Sequence, residues 1–374
     1  MNSRNRTTRH AFTVITNSYL SRAILLANSL LRHSPSTVLY ICILDLKLDK
    51  TKSLTPQNVK IIYPIEEISG IKQLTFSYNL IEACTAIKPT VAKHIMEREN
   101  LQNILYFDPD LYFVSDPKML WKELDKSSFI LTPHMLHPSN SVQGIEDHEI
   151  NGSLSLGVFN LGFFGVKNNS QGNKILDWWA ERLTSYCLDD RQNGLFTDQK
   201  WVNLIPLFFD EVTILKHSGV NVASWNIAER EIRLIRGKYV ISKSQEPLIF
   251  YHFSGYDSGA HYIMLKRYST NEVPLSLYRE YKRKLHEIRK EIGHESSWAF
   301  ENWNDGKKIS MSERNVYRRS KSLQRKYPDP WNGGLQNHFS LYPVEQQKEI
   351  GKWFCLARKC STKLKHALMH RLKI

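Results

Sequence analysis

Asp108-Pro109-Asp110 sets two carboxylates two residues apart, behind the apolar run Ile104–Phe107 and ahead of Leu111–Val114. On an extended segment residues i and i+2 face the same way, so the two acids would repel each other unless a cation lay between them. Hard oxygen ligands of this kind suit Mn²⁺ or Mg²⁺, with phosphate oxygens of a substrate completing the shell. His252, in Leu248-Ile-Phe-Tyr-His-Phe-Ser-Gly255, ends another apolar run and is followed by small residues. An imidazole there is a candidate third ligand, although a lone histidine in such a run reads first as a hydrogen-bonded core residue.

These groups need elements to hold them. Phe12–Thr16, Val38–Leu44, Val59–Tyr63, Asn103–Phe107, Phe129–Thr132 and Phe163–Val166 read as strands. Between them Leu20, Ala23, Ile24, Ala27 and Leu31 fall at helical spacing, and Thr75–Glu97, Gly172–Tyr186 and Asp198–Leu204 are helical in pattern. Alternating β and α units predict an α/β fold with a mostly parallel sheet covered by helices on both faces. After Phe253 the texture changes. Residues 275–292 predict a charged helix, 294–335 an irregular wrap rich in Trp, Asn, Gly, Ser and Pro, and 345–372 a last amphipathic helix. The expected organisation is a catalytic domain over 1–265 with a basic C-terminal extension over 266–374.

The 374 residues, 41% hydrophobic and 24% charged, are enough for one large core and exclude a disordered tail, a collagen-like repeat or a disulfide-stapled mini-domain. No apolar run reaches the ~18–20 residues of a membrane span, and the short run after the basic Met1–His10 predicts no signal peptide. Five cysteines without CxxC spacing predict reduced thiols in a cytoplasmic protein. The net charge of +14 is unevenly placed. Residues 261–374 hold 24 Lys and Arg against 11 Asp and Glu, whereas residues 1–260 hold 27 against 26. Such asymmetry predicts an anionic partner surface, or else a solvated basic face. On the helix over 345–372, Trp353, Leu356, Cys360, Leu364, Ala367 and Leu368 oppose most of the lysines and arginines. That pattern suits an anionic membrane surface and equally a helix docked on its own domain.

Five motifs in order, over about residues 11–257, resemble the retaining GT-A glycosyltransferases of family eight, which include bacterial lipopolysaccharide glucosyl- and galactosyltransferases and glycogenin. They are Ile15-Thr-Asn-Ser-Tyr19, Tyr106-Phe-Asp-Pro-Asp110, Gly157-Val-Phe-Asn-Leu-Gly162, Phe196-Thr-Asp-Gln199 with Asn203, and His252-Phe-Ser-Gly255. The resemblance implies a GT-A fold, a UDP-sugar donor and a Mn²⁺ or Mg²⁺ site of Asp108, Asp110 and His252, with Asp108 also touching the ribose. It implies that Thr16, Asn17 and Tyr19 line the nucleoside pocket, and that Lys88 reaches a phosphate or a donor hydroxyl. Asn160, Asp198 and Gln199 would surround the transferred sugar, with retention of configuration and no assigned covalent nucleophile. Asp198 would be the first choice if one existed, and its position also suits an N-cap for the helix that follows.

One departure stands out. In the family His-Phe-x-Gly leads into a lysine that touches the diphosphate, whereas here Gly255 is followed by Tyr256-Asp-Ser-Gly-Ala260 and no lysine until Lys266. Amides around Ser258-Gly259, or Lys266 or Arg267, are the expected substitutes. Leu176-Asp-Trp-Trp-Ala-Glu-Arg182 and Gly219-Val-Asn-Val-Ala-Ser-Trp-Asn226 resemble a branch that builds bacterial surface polysaccharide. There Asn221, Trp225 and Asn226 offer sugar-binding groups, and Trp178 and Trp179 read equally as core. The expected acceptor is a saccharide or lipid-linked saccharide at the inner face of the cell membrane. Two alternatives are an inverting GT-A transferase with Asp198 as base and a basic nucleic-acid-binding protein. The second lacks any recognisable nucleic-acid-binding motif.

Overall fold

The computed structural model describes residues 8–48, 51–293 and 296–342. Seven apolar runs assemble into one sheet: β1 Arg9–Ile15, β2 Thr37–Ile43, β3 Val59–Ile62, β4 Asn103–Phe107, β5 Phe129–Pro133, β6 Phe159–Lys167 and β7 Val212–Ile214. Their order across the sheet is β7-β5-β6-β4-β1-β2-β3. β1 is parallel to β2 and β4, β2 to β3, and β5 to β7, while β6 runs antiparallel to both β4 and β5. The sheet is mixed and mostly parallel, with a core on each face. Phe12, Val14, Tyr40 and Cys42 pack into one core, and their neighbours Ala11, Ile15, Leu39, Ile41 and Ile43 into the other. Burial on both faces is why these strands read as continuous apolar runs rather than alternating ones.

A smaller sheet carries the chemistry. Phe250–His252 lies in its middle, parallel to Val222–Ala223 and antiparallel to Leu111–Phe113. This pairing sets His252 opposite Leu111, one residue from the acidic pair.

Two expected helices are interrupted. The pattern over Thr75–Glu97 divides into Ile71–Ser77, Leu80–Ala86 and Lys88–Arg98. Tyr78 is extended, Asn79 and Glu82 form a reciprocal capping box that starts a new helix, and Pro89 sits in the first turn of the next. Likewise Asp198–Leu204 shortens to Gln199–Val202, with Ile205–Phe208 restarting around Pro206. Asp108-Pro109-Asp110 is a turn, closed by Leu111 N donating to Asp108 O at 3.2 Å, rather than an extended segment.

The later residues pack on the same cores. Leu277, Tyr281 and Leu285 of the helix Val273–Ile292 share a core with the helix Leu20–His33, so packing is continuous across the expected border at 265/266. Where an irregular wrap is expected over 294–335, the described residues 296–342 hold short helices at Met311–Arg319, Lys321–Lys326 and Gly334–Leu341. Phe76 is ringed by Trp303, Tyr317 and Trp331 at centroid distances of 5.1, 4.9 and 5.3 Å. Arg314, 2% exposed, donates to the carbonyls of Phe76, Tyr78 and Phe300 at 3.0, 2.8 and 2.8 Å. Asp45 ties an early loop to this late segment. Its carboxylate accepts from the amides of Asn17, Leu46 and Ala299 at 3.1, 2.9 and 3.1 Å, while Trp298 Nε1 donates to Leu44 O at 2.9 Å. Cys42, Cys84 and Cys187 are free thiols. The expected helix over 345–372 lies outside the described residues, and among those described no helix is long and apolar enough to cross a membrane.

Candidate active site

The β4 end, the β6 start and the middle of the small sheet converge. His252 Nε2 lies 3.1 Å from Asp110 Oδ1 and 3.9 Å from Asp108 Oδ2, and one ligand atom from each of the three residues lies within 4.8 Å of the others. The orientation of the imidazole follows from its neighbours. Asn221 donates through Nδ2 to Asn160 Oδ1 at 3.0 Å and to Thr132 Oγ1 at 3.1 Å, so its Oδ1 accepts from His252 Nδ1 at 3.0 Å. With Nδ1 donating to Asn221, Nε2 is the ring nitrogen that faces both carboxylates. Two carboxylates and an imidazole nitrogen, once it gives up its proton, are a donor set that fits Mn²⁺ or Mg²⁺. Burial disfavours charge on both partners. The Asp110 charge nevertheless lifts the His252 pKa above the ordinary value, and the ring in turn holds Asp110 below the usual carboxylate range.

The chain of amides ends in a second histidine. Asn160 donates through Nδ2 to His134 Nε2 at 3.1 Å, and His134 donates through Nδ1 to Gly157 O at 2.7 Å. Burial lowers the His134 pKa to about 4, so the ring is neutral at pH 7, as its acceptor role at Nε2 requires. Asn226 donates to the carbonyls of His134 and Asn221, both at 3.1 Å, and is fully buried. Gly162 closes the arrangement: a Cβ there would lie 2.4 Å from His252 Cε1 and 2.6 Å from Nδ1. Gly162→Ala is therefore expected to abolish any metal-dependent nucleotide binding while costing about 1–3 kcal/mol of stability. Calorimetric titration beside thermal unfolding checks both numbers.

Lys88 sits at the other side of the acidic pair. The helix Lys88–Arg98 begins with it, and it is 3% exposed. Its Nζ lies 3.0 Å from Asp198 Oδ2, 3.6 Å from Asp108 Oδ1 and 3.3 Å from Leu161 O, with the Tyr106 ring beneath at 4.5 Å. Tyr106 in turn donates its hydroxyl to Asp108 Oδ1. The two carboxylates keep Lys88 charged against the cost of burial, and burial raises the Asp198 pKa while Lys88 pulls it back. Asp198 occupies the N-cap position of Gln199–Val202, yet its side chain makes no capping bond and accepts from Thr197 Oγ1 at 3.1 Å. Thr197 holds φ at +43°, a strained value for a β-branched residue of the kind concentrated at functional sites.

Two adjoining clefts share Lys88 and Asp108. One, of about 390 Å³, is lined by Thr16, Tyr19, Arg22, Asp110, Tyr256 and Ser258 among others. The second, of about 510 Å³, is lined by Asn160, Asp198, Gln199, Trp225 and His252 with residues of the segment 147–156. Asn17 lies behind the first cleft, its amide donating to Leu46 O at 2.8 Å. Gln199 spends both ends of its amide on backbone, accepting from Leu161 N at 3.2 Å and donating to Leu156 O at 3.0 Å. Trp179 is fully buried core, and Trp178 packs at the edge of the same core.

Of the proposed cation substitutes, Ser258 reaches the first cleft, whereas Arg267 donates to Asp147 Oδ2 at 2.8 Å on the helix Ala260–Tyr268. A second cation at the wall of this cleft, beside Lys88, is one that sequence reasoning missed. Arg22, 3% exposed, lies between the rings of Tyr19 and Tyr256 at 4.6 and 5.5 Å and pairs with Asp257. Its position in an apolar helical stripe, three residues after Tyr19, was the available signal. His134 carried no sequence signal, and Asn221 and Asn226, expected as sugar-binding groups, are buried and bonded within the relay instead, an arrangement that depends on three segments meeting.

No family model matches the chain. Among curated proteins, uncharacterized protein YfnD of Bacillus subtilis (strain 168) is 27% identical over 254 residues, covering 67% of this chain and 78% of YfnD. Uncharacterized protein YfnF of the same organism is 26% identical over 248 residues, covering 65% and 80%. Among solved structures, the galactosyltransferase LgtC in complex with donor and acceptor sugar analogs aligns with a TM-score of 0.45 at 14% identity, covering 74% of this chain and 99% of LgtC. The glycosyltransferase GlyE of Streptococcus pneumoniae TIGR4 aligns at 0.45 and 16%, covering 87% and 73%. Alignments at this level leave the fold to the sheet order and the site to the contacts given above.

Proposed function

We propose that this chain is a metal-dependent glycosyltransferase of the GT-A type, moving a sugar from a UDP-sugar to a saccharide or lipid-linked acceptor with retention of configuration. The process it serves in this reading is bacterial surface polysaccharide or lipopolysaccharide synthesis, at the inner face of the membrane. The observation that carries the reading is His252 Nε2 held facing Asp108 and Asp110 at the junction of two clefts. The motif order and the mixed sheet agree with it.

In this reading Asp108, Asp110 and His252 hold the cation, which supplies Lewis-acid stabilisation of the departing diphosphate. Thr16, Tyr19 and Arg22 form the wall for the nucleoside and its phosphates, with Arg22 taking the place of the absent lysine. Lys88 sits where the two clefts join and pairs with Asp198 beside the transferred sugar. Gln199 fixes the backbone of Leu156 and Leu161, while Trp225 and Asn160 face the sugar side.

Thermal unfolding with UDP, GDP or CMP, with and without Mn²⁺, tests the reading. A nucleotide at about 100 times its dissociation constant adds about 2.7 kcal/mol, roughly 3–4 °C for a chain of this size. The expected result is a UDP shift that needs Mn²⁺ and vanishes in Asp110→Ala. A shift with GDP or CMP instead changes the donor, and no shift with any nucleotide removes the reading.

A further inference from the structure

The helix Val273–Ile292 carries three chemically distinct faces. Leu277, Tyr281, Leu285 and Ile288 are buried against the body. Glu280, Lys284, Glu287 and Glu291 line a groove of mixed charge beside the helix Leu20–His33. The third face is cationic: Arg279, Lys282, Arg283, His286 and Arg289 line a shallow groove of about 490 Å³ whose remaining walls are Tyr256 and Leu285. These positions follow one another at helical spacing and run for about 15 Å along the axis. Arg279 pairs with Glu272 at 3.3 Å and Arg283 with Glu287 at 2.6 Å, both at exposed sites where such pairs are weak and easily exchanged.

The neighbouring helix Ala260–Tyr268 extends this surface with Tyr262 and Ile263, 42% and 60% exposed, and with Lys266 over the Tyr262 ring at 5.8 Å. Tyr278 bridges the helices, its ring 5.5 Å from both Tyr262 and Tyr256. Tyrosines and an exposed isoleucine among lysines and arginines combine an amphipathic ring layer with a positive field, the chemistry of a lipid headgroup region. Tyr256 lines both this groove and the cleft that holds Asp110.

From this juxtaposition we infer that the paired helices Ala260–Tyr268 and Val273–Ile292 form a docking surface for an anionic bilayer, with the catalytic cleft opening beside the membrane plane. The inference deepens the reading of a lipid-linked acceptor, yet its test is independent of turnover. Sedimentation of the full chain with phosphatidylglycerol-containing vesicles is compared with phosphatidylcholine vesicles. One variant is Arg279→Glu, Lys282→Glu and Arg283→Glu together; a second is Lys363→Glu, Lys365→Glu and Lys373→Glu together.

Each cation near such a surface contributes roughly fivefold, so loss of three alone should cost the first variant about 100-fold in vesicle affinity, and the added carboxylates should cost more. It should keep the nucleotide-dependent thermal shift of the parent chain, and Tyr262→Ser with Ile263→Ser should weaken vesicle binding at unchanged charge. Binding lost only in the second variant assigns the contact to the last residues and overturns the inference. So does equal binding to both kinds of vesicle, or binding of inorganic polyphosphate without binding of vesicles. A chain that binds vesicles as described but shifts with no nucleotide refutes the proposed enzyme and leaves the docking surface standing.

Discussion

Lys88→Met is expected to lower stability by about 3–5 kcal/mol and to remove transfer activity altogether. Lys88 and Asp198 are each under 5% exposed along their side chains and lie 3.0 Å apart, with Asp108 at 3.6 Å. Removing one member of a buried pair leaves the other as an uncompensated charge, which costs more than the pair contributes. The variant should therefore unfold at a temperature lower by roughly 4–6 °C. Asp198→Asn in the same background should restore part of that loss, since it removes the stranded charge, and should restore no activity. A double-mutant cycle by thermal unfolding, run beside an assay of UDP release, separates the two effects. If Lys88→Met alone were neutral for stability, the ion pair would not exist in solution.

Arg314→Leu should destabilise by a similar amount, about 3–5 kcal/mol, with the opposite signature at the site. The guanidinium satisfies the carbonyls of Phe76, Tyr78 and Phe300, where helix Ile71–Ser77 ends and the wrap begins. Leucine fills most of the space and leaves these buried acceptors unpaired, each costing about 1–3 kcal/mol less whatever water recovers. Burial lowers the Arg314 pKa to about 10, so the side chain is still charged at pH 7. The chain should melt lower while keeping its nucleotide-dependent shift, because Arg314 lines neither cleft. Loss of that shift at temperatures where the variant is still folded would show that the wrap shapes the site.

Much of this architecture is legible before any coordinates. Strands buried on both faces announce themselves as apolar runs, and the acidic pair stands out because two charges follow one such run and precede another. Patterns fail where a short-range device overrides periodicity. The run Thr75–Glu97 has helical spacing throughout, but the Asn79–Glu82 capping box and Pro89 break it into pieces. The functions of Asn221 and His134 are invisible for a different reason. An asparagine at φ +57° beside a strand looks like turn punctuation until three distant segments bring it against His252. Arg22 hides inside an amphipathic pattern, where an arginine among leucines looks like the polar edge of a helix.

Asp45 also bears on where this chain can be cut. Its carboxylate joins the amide of Asn17, next to the cleft residue Thr16, to the amide of Ala299. A chain ended near residue 293 would therefore lose more than an appendage. It would uncover Phe76 and Tyr78, take a bonding partner from Leu44 O, and loosen the loop that brings Thr16 and Tyr19 to the first cleft. The sequence-distant wrap acts as a buttress for that cleft wall, so shortened versions should be judged by nucleotide binding rather than by solubility.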